Sequence, residues 1–331
     1  MIPHLDINPL FGAAAAARKT IDDGIMAAAS SVGFLSVGGF PHGVDVGEQV
    51  RRAILQIFEL SEPELTKLDR QTTDPAKPYS FRGRYTTGPR NPTHHTSFEF
   101  GRDLAYGEEV IDPRDPLRAP SPLPSESLLP GWRASSRAYY LAMERVAAAL
   151  MASLARGLGI LEQRFTDVFE GGISSLRLLH YPVRDDKALQ RIPDEQLYVI
   201  HDGRRRLITS EPHFDGGFIT ILAQHGVEGL QIRTPVGDWV NVPPAEGTLV
   251  VNFGQLLDRW TEGRIRATEH RVLSSGRERF SIAFFFEPRI DAAIEPLPLH
   301  GAENFAPFIY GDQFWSATGL KRRGFAVRSL S

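Results

Sequence analysis

Over the first sixty residues apolar positions recur every three or four. "AAAAARKTIDDGIMAAASS" and "VGEQVRRAILQIFEL" both have the spacing of a helix with one buried face, and Ser61 followed by Glu62 and Pro63 marks a further helix start. From residue 71 to 130 that pattern breaks: prolines and glycines accumulate and almost no period survives. This predicts a long connection packed on the rest of the molecule, the kind of segment that often carries substrate contacts. Between Arg133 and Leu158 the helical period returns, with Tyr139, Met143, Val146, Leu150 and Leu154 on one face and Arg137, Glu144, Arg145 and Arg156 on the other. A long helix backing a sheet is expected, with its Met and Tyr residues serving as core.

After Gly172 the period shortens to two. "SSLRLLHYP", "LYVI", "RLITS", "FITILAQ", "LQIRT", "DWVNV", "TLVVNF" and "FSIAFFFEP" are short segments bounded by Gly, Pro, Asp or Asn, and so many in one block predict a sandwich or barrel. Helices first and strands second give an α+β class. The expected architecture is a double-stranded β-helix, or jelly roll, with an N-terminal helical and loop region and the long helix as support. Residues 1–130 form the expected N-terminal region packed on the core, and residues 131–331 the core with its supporting helix.

Composition narrows the chemistry. The chain has no cysteine, which excludes disulfides, thiolate metal sites and cysteine nucleophiles, so any metal must be held by His, Asp or Glu. A formal net charge of -3 offers no basic field for a nucleic acid or an anionic membrane, and small-molecule partners are expected, on a monomer or weak homo-oligomer. The cluster Arg204, Arg205, Arg206 is short, follows Asp202 and Gly203, and reads as a solvated turn. The opening residues lack the basic start of a signal peptide, and no segment reaches the roughly 20 apolar residues of a membrane span. A cytoplasmic protein is expected.

In "TSEPHFDGGFITIL", His213 and Asp215 stand two positions apart at the edge of a strand, where residues i and i+2 share a face and can reach one metal. Taken alone the pair reads more readily as a hydrogen-bonded turn, and a third ligand is required. His270, in "RATEHRVLSSGRERFSIAFFFEP", precedes a turn and a buried strand that a barrel can bring beside the first. Two imidazoles and one carboxylate are the facial triad of non-haem Fe(II) oxygenases. On the strand that follows, Arg279 and Ser281 again share a face; a buried guanidinium there needs an anion, either a bound carboxylate or an internal Asp or Glu.

Together these residues resemble the isopenicillin N synthase-like, 2-oxoglutarate- and Fe(II)-dependent dioxygenases over nearly the whole chain. "IPHLDINPL" is similar to the family's opening strand, "SVGFLSVGGFPHGVD", "FRGRYTTG" and "HHTSFEFGRDL" to its N-terminal region, and the stretch from "LAQHGVEG" to "FFFEP" to its catalytic core. The resemblance implies that His213, Asp215 and His270 ligate Fe(II), that Arg279 and Ser281 hold the distal carboxylate of 2-oxoglutarate, and that Tyr181 in "LLHYP" lies near the cosubstrate. With O2, such an enzyme hydroxylates, desaturates or cyclises a small molecule such as an amino acid, peptide or secondary metabolite, releasing succinate and CO2. Asp215 fills the position that halogenating relatives leave to chloride. The chain departs from many plant members at Leu179, where they have Asn, and at Gln255, where "GD" is usual, and "RIPDEQLYVIHDGRRRLITSE" is longer than expected. Two alternatives remain: an oxidase that uses no 2-oxoglutarate, since isopenicillin N synthase itself retains an Arg-x-Ser pair, and a barrel that only binds a small molecule. Substrate contacts are sought at Arg84, Tyr85, His94, His95, Phe98 and Phe314, each of which loop packing would also explain.

Overall fold

Two sheets form from the period-two segments, and the computed structural model describes residues 2–70, 80–88, 91, 93–107, 120–184, 189–190, 192–299, 301 and 305–317. In chain order the strands are β1 (His4–Asp6), β2 (Phe34–Gly38), β3 (Gly83–Thr86), β4 (Thr96–Gly101), β5 (Ser175–Tyr181), β6 (Tyr198–His201), β7 (Arg204–His213), β8 (Ile219–Gln224), β9 (Leu230–Arg233), β10 (Trp239–Asn241), β11 (Leu249–Phe253), β12 (His270–Leu273) and β13 (Arg279–Phe286), followed by the short pair Ala293–Ile294 and Phe308–Ile309. The main sheet has the order β1-β2-β11-β8-β13-β5-β4-β3 and the smaller sheet β10-β9-β12-β7-β6. Every pairing but β1 with β2 is antiparallel. Phe34 and Val250 of the main sheet pack on Leu230, Ile232 and Val272 of the smaller one, which closes one end of the jelly roll with apolar side chains.

The outer face of the main sheet carries the large core. The long helix runs from Trp132 to Gly157, within a residue of its expected start and end, and buries Tyr139, Met143, Val146, Leu150 and Leu154. Tyr140 meets Phe284 of β13 edge to face at 5.1 Å. One continuous apolar cluster reaches from Ile7 to Tyr310, so both ends of the described chain share it. Among the described residues no helix is long and apolar enough to cross a membrane.

Two expectations need correction. Within the stretch read as a connection, β3 is the edge strand of the main sheet and β4 lies beside it, paired to β5. β4 does alternate, with Ser97 and Glu99 set against Phe98 and Phe100, but the strand is short and lies within a proline- and glycine-rich stretch that masks it. β2 and β12 give no alternating signal because they are buried along nearly their whole length on both faces. The longer segment before His213 folds as a hairpin: Asp202 and Gly203 both have positive φ, 50° and 67°, as a two-residue type I′ turn needs, and Leu189, Ile192 and Leu197 make a small core beneath it. The cluster read as a turn is strand: Arg204, Arg205 and Arg206 open β7 while Asp202 and Gly203 alone make the turn, and Arg205 stacks on Tyr198 and pairs with Asp194.

Candidate metal centre and cosubstrate pocket

β7 ends at His213, the chain turns through Asp215 into β8, and β12 begins at His270 directly opposite His213 in the ladder. Cross-strand pairing therefore does what the sequence separation hides, and the two imidazole rings lie 4.2 Å apart. His213 Nδ1 lies 2.7 Å from the Glu211 carbonyl and His270 Nδ1 3.1 Å from that of Thr268. A carbonyl can only accept, so each Nδ1 carries a hydrogen, and Nε2 is the nitrogen left to bind a metal. Both Nε2 atoms face Asp215 Oδ1, at 3.7 and 3.6 Å. The other carboxylate oxygen, Oδ2, accepts hydrogen bonds from the Thr220 hydroxyl and the Asn252 amide, each at 2.6 Å, which fixes the carboxylate plane.

Protonation states favour metal binding. Burial alone would raise the Asp215 pKa, but His270, the two hydrogen bonds and His213 together hold it below the usual carboxylate range. Burial also pushes His270 below its ordinary value, against the pull of Asp215. The site thus presents an anionic oxygen and a neutral imidazole, the forms that bind a divalent ion. The three ligand atoms lie within 4.8 Å of one another, and this is the single His/Asp/Glu cluster of that kind among the described residues. With no sulfur donor and with two nitrogens to one carboxylate oxygen, the set suits Fe(II).

Arg279 opens β13 on the inner face of the main sheet, paired in register with Tyr181. It is 3% exposed. Nη1 donates to Ser281 Oγ at 3.3 Å, while Nε and Nη2 have no partner among the described residues. Burial lowers its pKa, with the adjacent Tyr181 opposing, and the guanidinium carbon stands 5.1 Å from the Tyr181 ring. The internal salt bridge that a buried arginine would otherwise demand is absent among the described residues, so two N–H groups remain for a bidentate carboxylate. Gly229, at φ +151°, backs this site: a Cβ there would lie 2.5 Å from the Leu273 carbonyl oxygen and 3.6 Å from Arg279 Cδ.

The substrate candidates separate by strand alternation. Arg84 and Phe98 pair in register and share the helix-facing side of the sheet. Arg84 is engaged by Asp69 and Glu62, and Phe98 is 1% exposed against Phe100 and Trp132, so both serve the structure. Tyr85 lies on the inner face, its ring covered by Arg70 at 3.7 Å. His94 is tied through Nδ1 to the Thr87 carbonyl. His95 is half-buried with its ring 5.7 Å from that of Tyr181. Phe314 belongs to the helix Tyr310–Ala317, and its side chain lies outside the described residues. Sequence reasoning passed over Thr220, Asn252, Glu99, Arg177 and Phe285, all on the inner face by register. Of these only Phe285 could have been found by counting in twos from Arg279 and Ser281.

A jelly roll with two imidazoles and a carboxylate on one edge, and on the facing sheet a buried arginine with no acidic partner among the described residues, is the arrangement of a non-haem iron oxygenase. The model of the 2OG-Fe(II) oxygenase superfamily matches residues 174–288. The chain is 31% identical to the 2-oxoglutarate-Fe(II) type oxidoreductase hxnY of Emericella nidulans over 309 residues, covering 89% of this chain and 82% of that protein. Isopenicillin N synthase of Streptomyces clavuligerus is 29% identical over 305 residues, covering 91% and 88%. A full-length Neurospora crassa protein, solved in complex with alpha-KG, superposes with a TM-score of 0.79 at 25% identity, covering 97% and 96%. The chain belongs to the 2OG-Fe(II) oxygenase superfamily and is a 2-oxoglutarate- and Fe(II)-dependent dioxygenase.

Proposed function

We propose that His213, Asp215 and His270 hold the iron, that Arg279 and Ser281 take the distal carboxylate of 2-oxoglutarate beside Tyr181, and that the enzyme hydroxylates or desaturates a small molecule. The observation that carries this reading is Arg279, buried on the inner face with two N–H groups unpaired among the described residues. When bound, the metal and cosubstrate supply the oxidising power for an unactivated C–H bond, consuming O2 and leaving succinate and CO2.

The chain's own groups do the rest. The Glu211 and Thr268 carbonyls keep both Nε2 atoms turned to the metal position, and Thr220 with Asn252 keeps Asp215 Oδ1 turned the same way. Ser281 steers the Arg279 fork, and Gly229 lets the backbone close behind it. All of these groups come from residues 131–331, while His95, from the N-terminal region, adds to the wall beside Tyr181. Asp215 would occupy a coordination position of the bound metal and leave none for a halide, so oxygen insertion or loss of two hydrogens is the expected outcome.

The test supplies Fe(II), 2-oxoglutarate, O2 and a metabolite panel, and measures succinate together with product mass. Succinate formed in step with a product gaining one oxygen or losing two hydrogens supports the reading. Equal turnover with 2-oxoglutarate omitted, as for a cosubstrate-free oxidase, or a chlorinated product in excess chloride, would overturn it.

A further inference from the structure

Along the inner face of β13 the side chains are Arg279, Ser281, Ala283 and Phe285. Six residues of strand span about 20 Å, so the cosubstrate anchor and Phe285 mark opposite ends of the cavity floor. Phe285 pairs with Thr220, whose hydroxyl holds the metal-facing Asp215. Ala283 pairs with Arg177 of β5, and Arg177 with Glu99 of β4. The far end of the floor from the cosubstrate therefore combines a small side chain, an aromatic ring and an ion pair, next to the metal ligands.

Arg177 differs from its surroundings. Ser97, Ser175, Ser281 and Ala283 around it are all buried, yet its own side chain is 40% exposed, so its guanidinium faces the cavity. Two of its nitrogens are fixed: Nε and Nη2 lie 2.9 and 2.8 Å from Glu99 Oε2. The guanidinium carbon stands 4.8 Å from the Phe285 ring. Nη1 has no protein partner among the described residues. Glu99 is shared, with Arg82 Nη1 at 3.5 Å from its other oxygen, so it neutralises Arg177 only in part. A purely structural ion pair on a filled sheet would be covered on all sides. This one is held rigid on one edge and open on the other, which is how a preorganised oxyanion receptor is built.

We propose that Arg177 is the substrate-recognition residue and that the substrate is a small carboxylate, its oxygen on the free edge of the guanidinium and its carbon skeleton along Phe285 and Leu179, beside the metal centre. This rests on the dioxygenase reading above. A neutral carbonyl presents the same acceptor oxygen with less charge, and the test separates the two by comparing acids with their methyl esters.

The protein is loaded with Mn(II), which does not turn over, and with 2-oxoglutarate. Benzoate, phenylacetate, picolinate and octanoate are then titrated calorimetrically, each against its methyl ester. At least one acid should bind 30-fold or more tighter than its ester. In Arg177→Gln that advantage should shrink to within threefold, while Arg177→Lys should retain part of it, because a point charge replaces a fork. No acid exceeding its ester in the wild type would overturn the proposal whatever the variants do, and so would an undiminished preference in a folded Arg177→Gln. Failure of the underlying reading shows separately: the wild type given Fe(II) and O2 would then release no succinate from 2-oxoglutarate.

Discussion

The Arg279 guanidinium, with Nε and Nη2 unpaired among the described residues and buried, is tolerated only if something pairs with it in the working enzyme. Truncating one member of a buried charge pair commonly costs about 2–5 kcal/mol. Arg279→Ala should therefore raise the 2-oxoglutarate KM by a factor of at least about 30, and steady-state succinate release at saturating iron reads it; an unchanged KM would remove Arg279 from the cosubstrate site. At the metal, His213→Ala or His270→Ala leaves two ligands, too few to hold Fe(II), so anaerobic titration should find stoichiometric binding lost. Asn252→Ala keeps all three ligands but frees one side of Asp215. Such supporting contacts are typically worth 10- to 100-fold in metal affinity, and a smaller loss than for either histidine is expected in the same titration. The cluster proposed to hold the iron was legible because His213 and Asp215 are close in sequence and His270 stands ahead of a buried strand. Asn252 was not legible, because its contact with Asp215 bridges 37 residues and exists only through the pairing of β8 with β11.

At the scale of elements, the periodic ones were readable and the doubly buried ones were not. The long helix shows its stripe plainly because its other face meets solvent, whereas β2 and β12 are buried on both sides and lose the alternation that marks a strand. Arg84 and Phe98 were read as candidate substrate contacts, but alternation turns them to the helix side; which face a residue takes depends on register, and register is set by strands elsewhere. The loop between β7 and β8 carries a sharper test. A Cβ on Gly217 would lie 1.9 Å from Glu287 Oε1, whereas one on Gly216 meets nothing within 4 Å, and neither glycine needs a positive φ. Gly217→Ala should lower stability by roughly 1–3 kcal/mol, as overpacking does, and weaken iron binding by displacing Asp215. Gly216→Ala should change both little. Thermal melts and anaerobic iron titrations of the two variants side by side would refute this if they behaved alike.

Glu287 joins three distant parts of the molecule: it closes β13, its carboxyl abuts Gly217 in the ligand loop, and it accepts the Tyr310 hydroxyl of the C-terminal helix at 2.8 Å. Burial pushes its pKa up to about 8, opposed by the Tyr310 hydrogen bond and reinforced by the charge of Asp215. The folded protein thus keeps this proton at neutral pH, while an unfolded chain, with an ordinary glutamate, loses it above pH about 4.3. Between those values the native state binds more protons, so stability falls as pH rises, by up to about 1.4 kcal/mol per unit from this group. Its contribution is fully present below the unfolded pKa and gone once pH passes the folded one. Glu287→Gln keeps the shape and an acceptor for Tyr310 but cannot ionise. Relative to wild type, its melting temperature should gain steadily from pH 5 to pH 8 and level off beyond, when both proteins are measured with a chelator present so that metal binding does not enter. A difference that stays flat across that range would mean Glu287 is already ionised in the fold, and that burial behind the metal loop does not hold its proton.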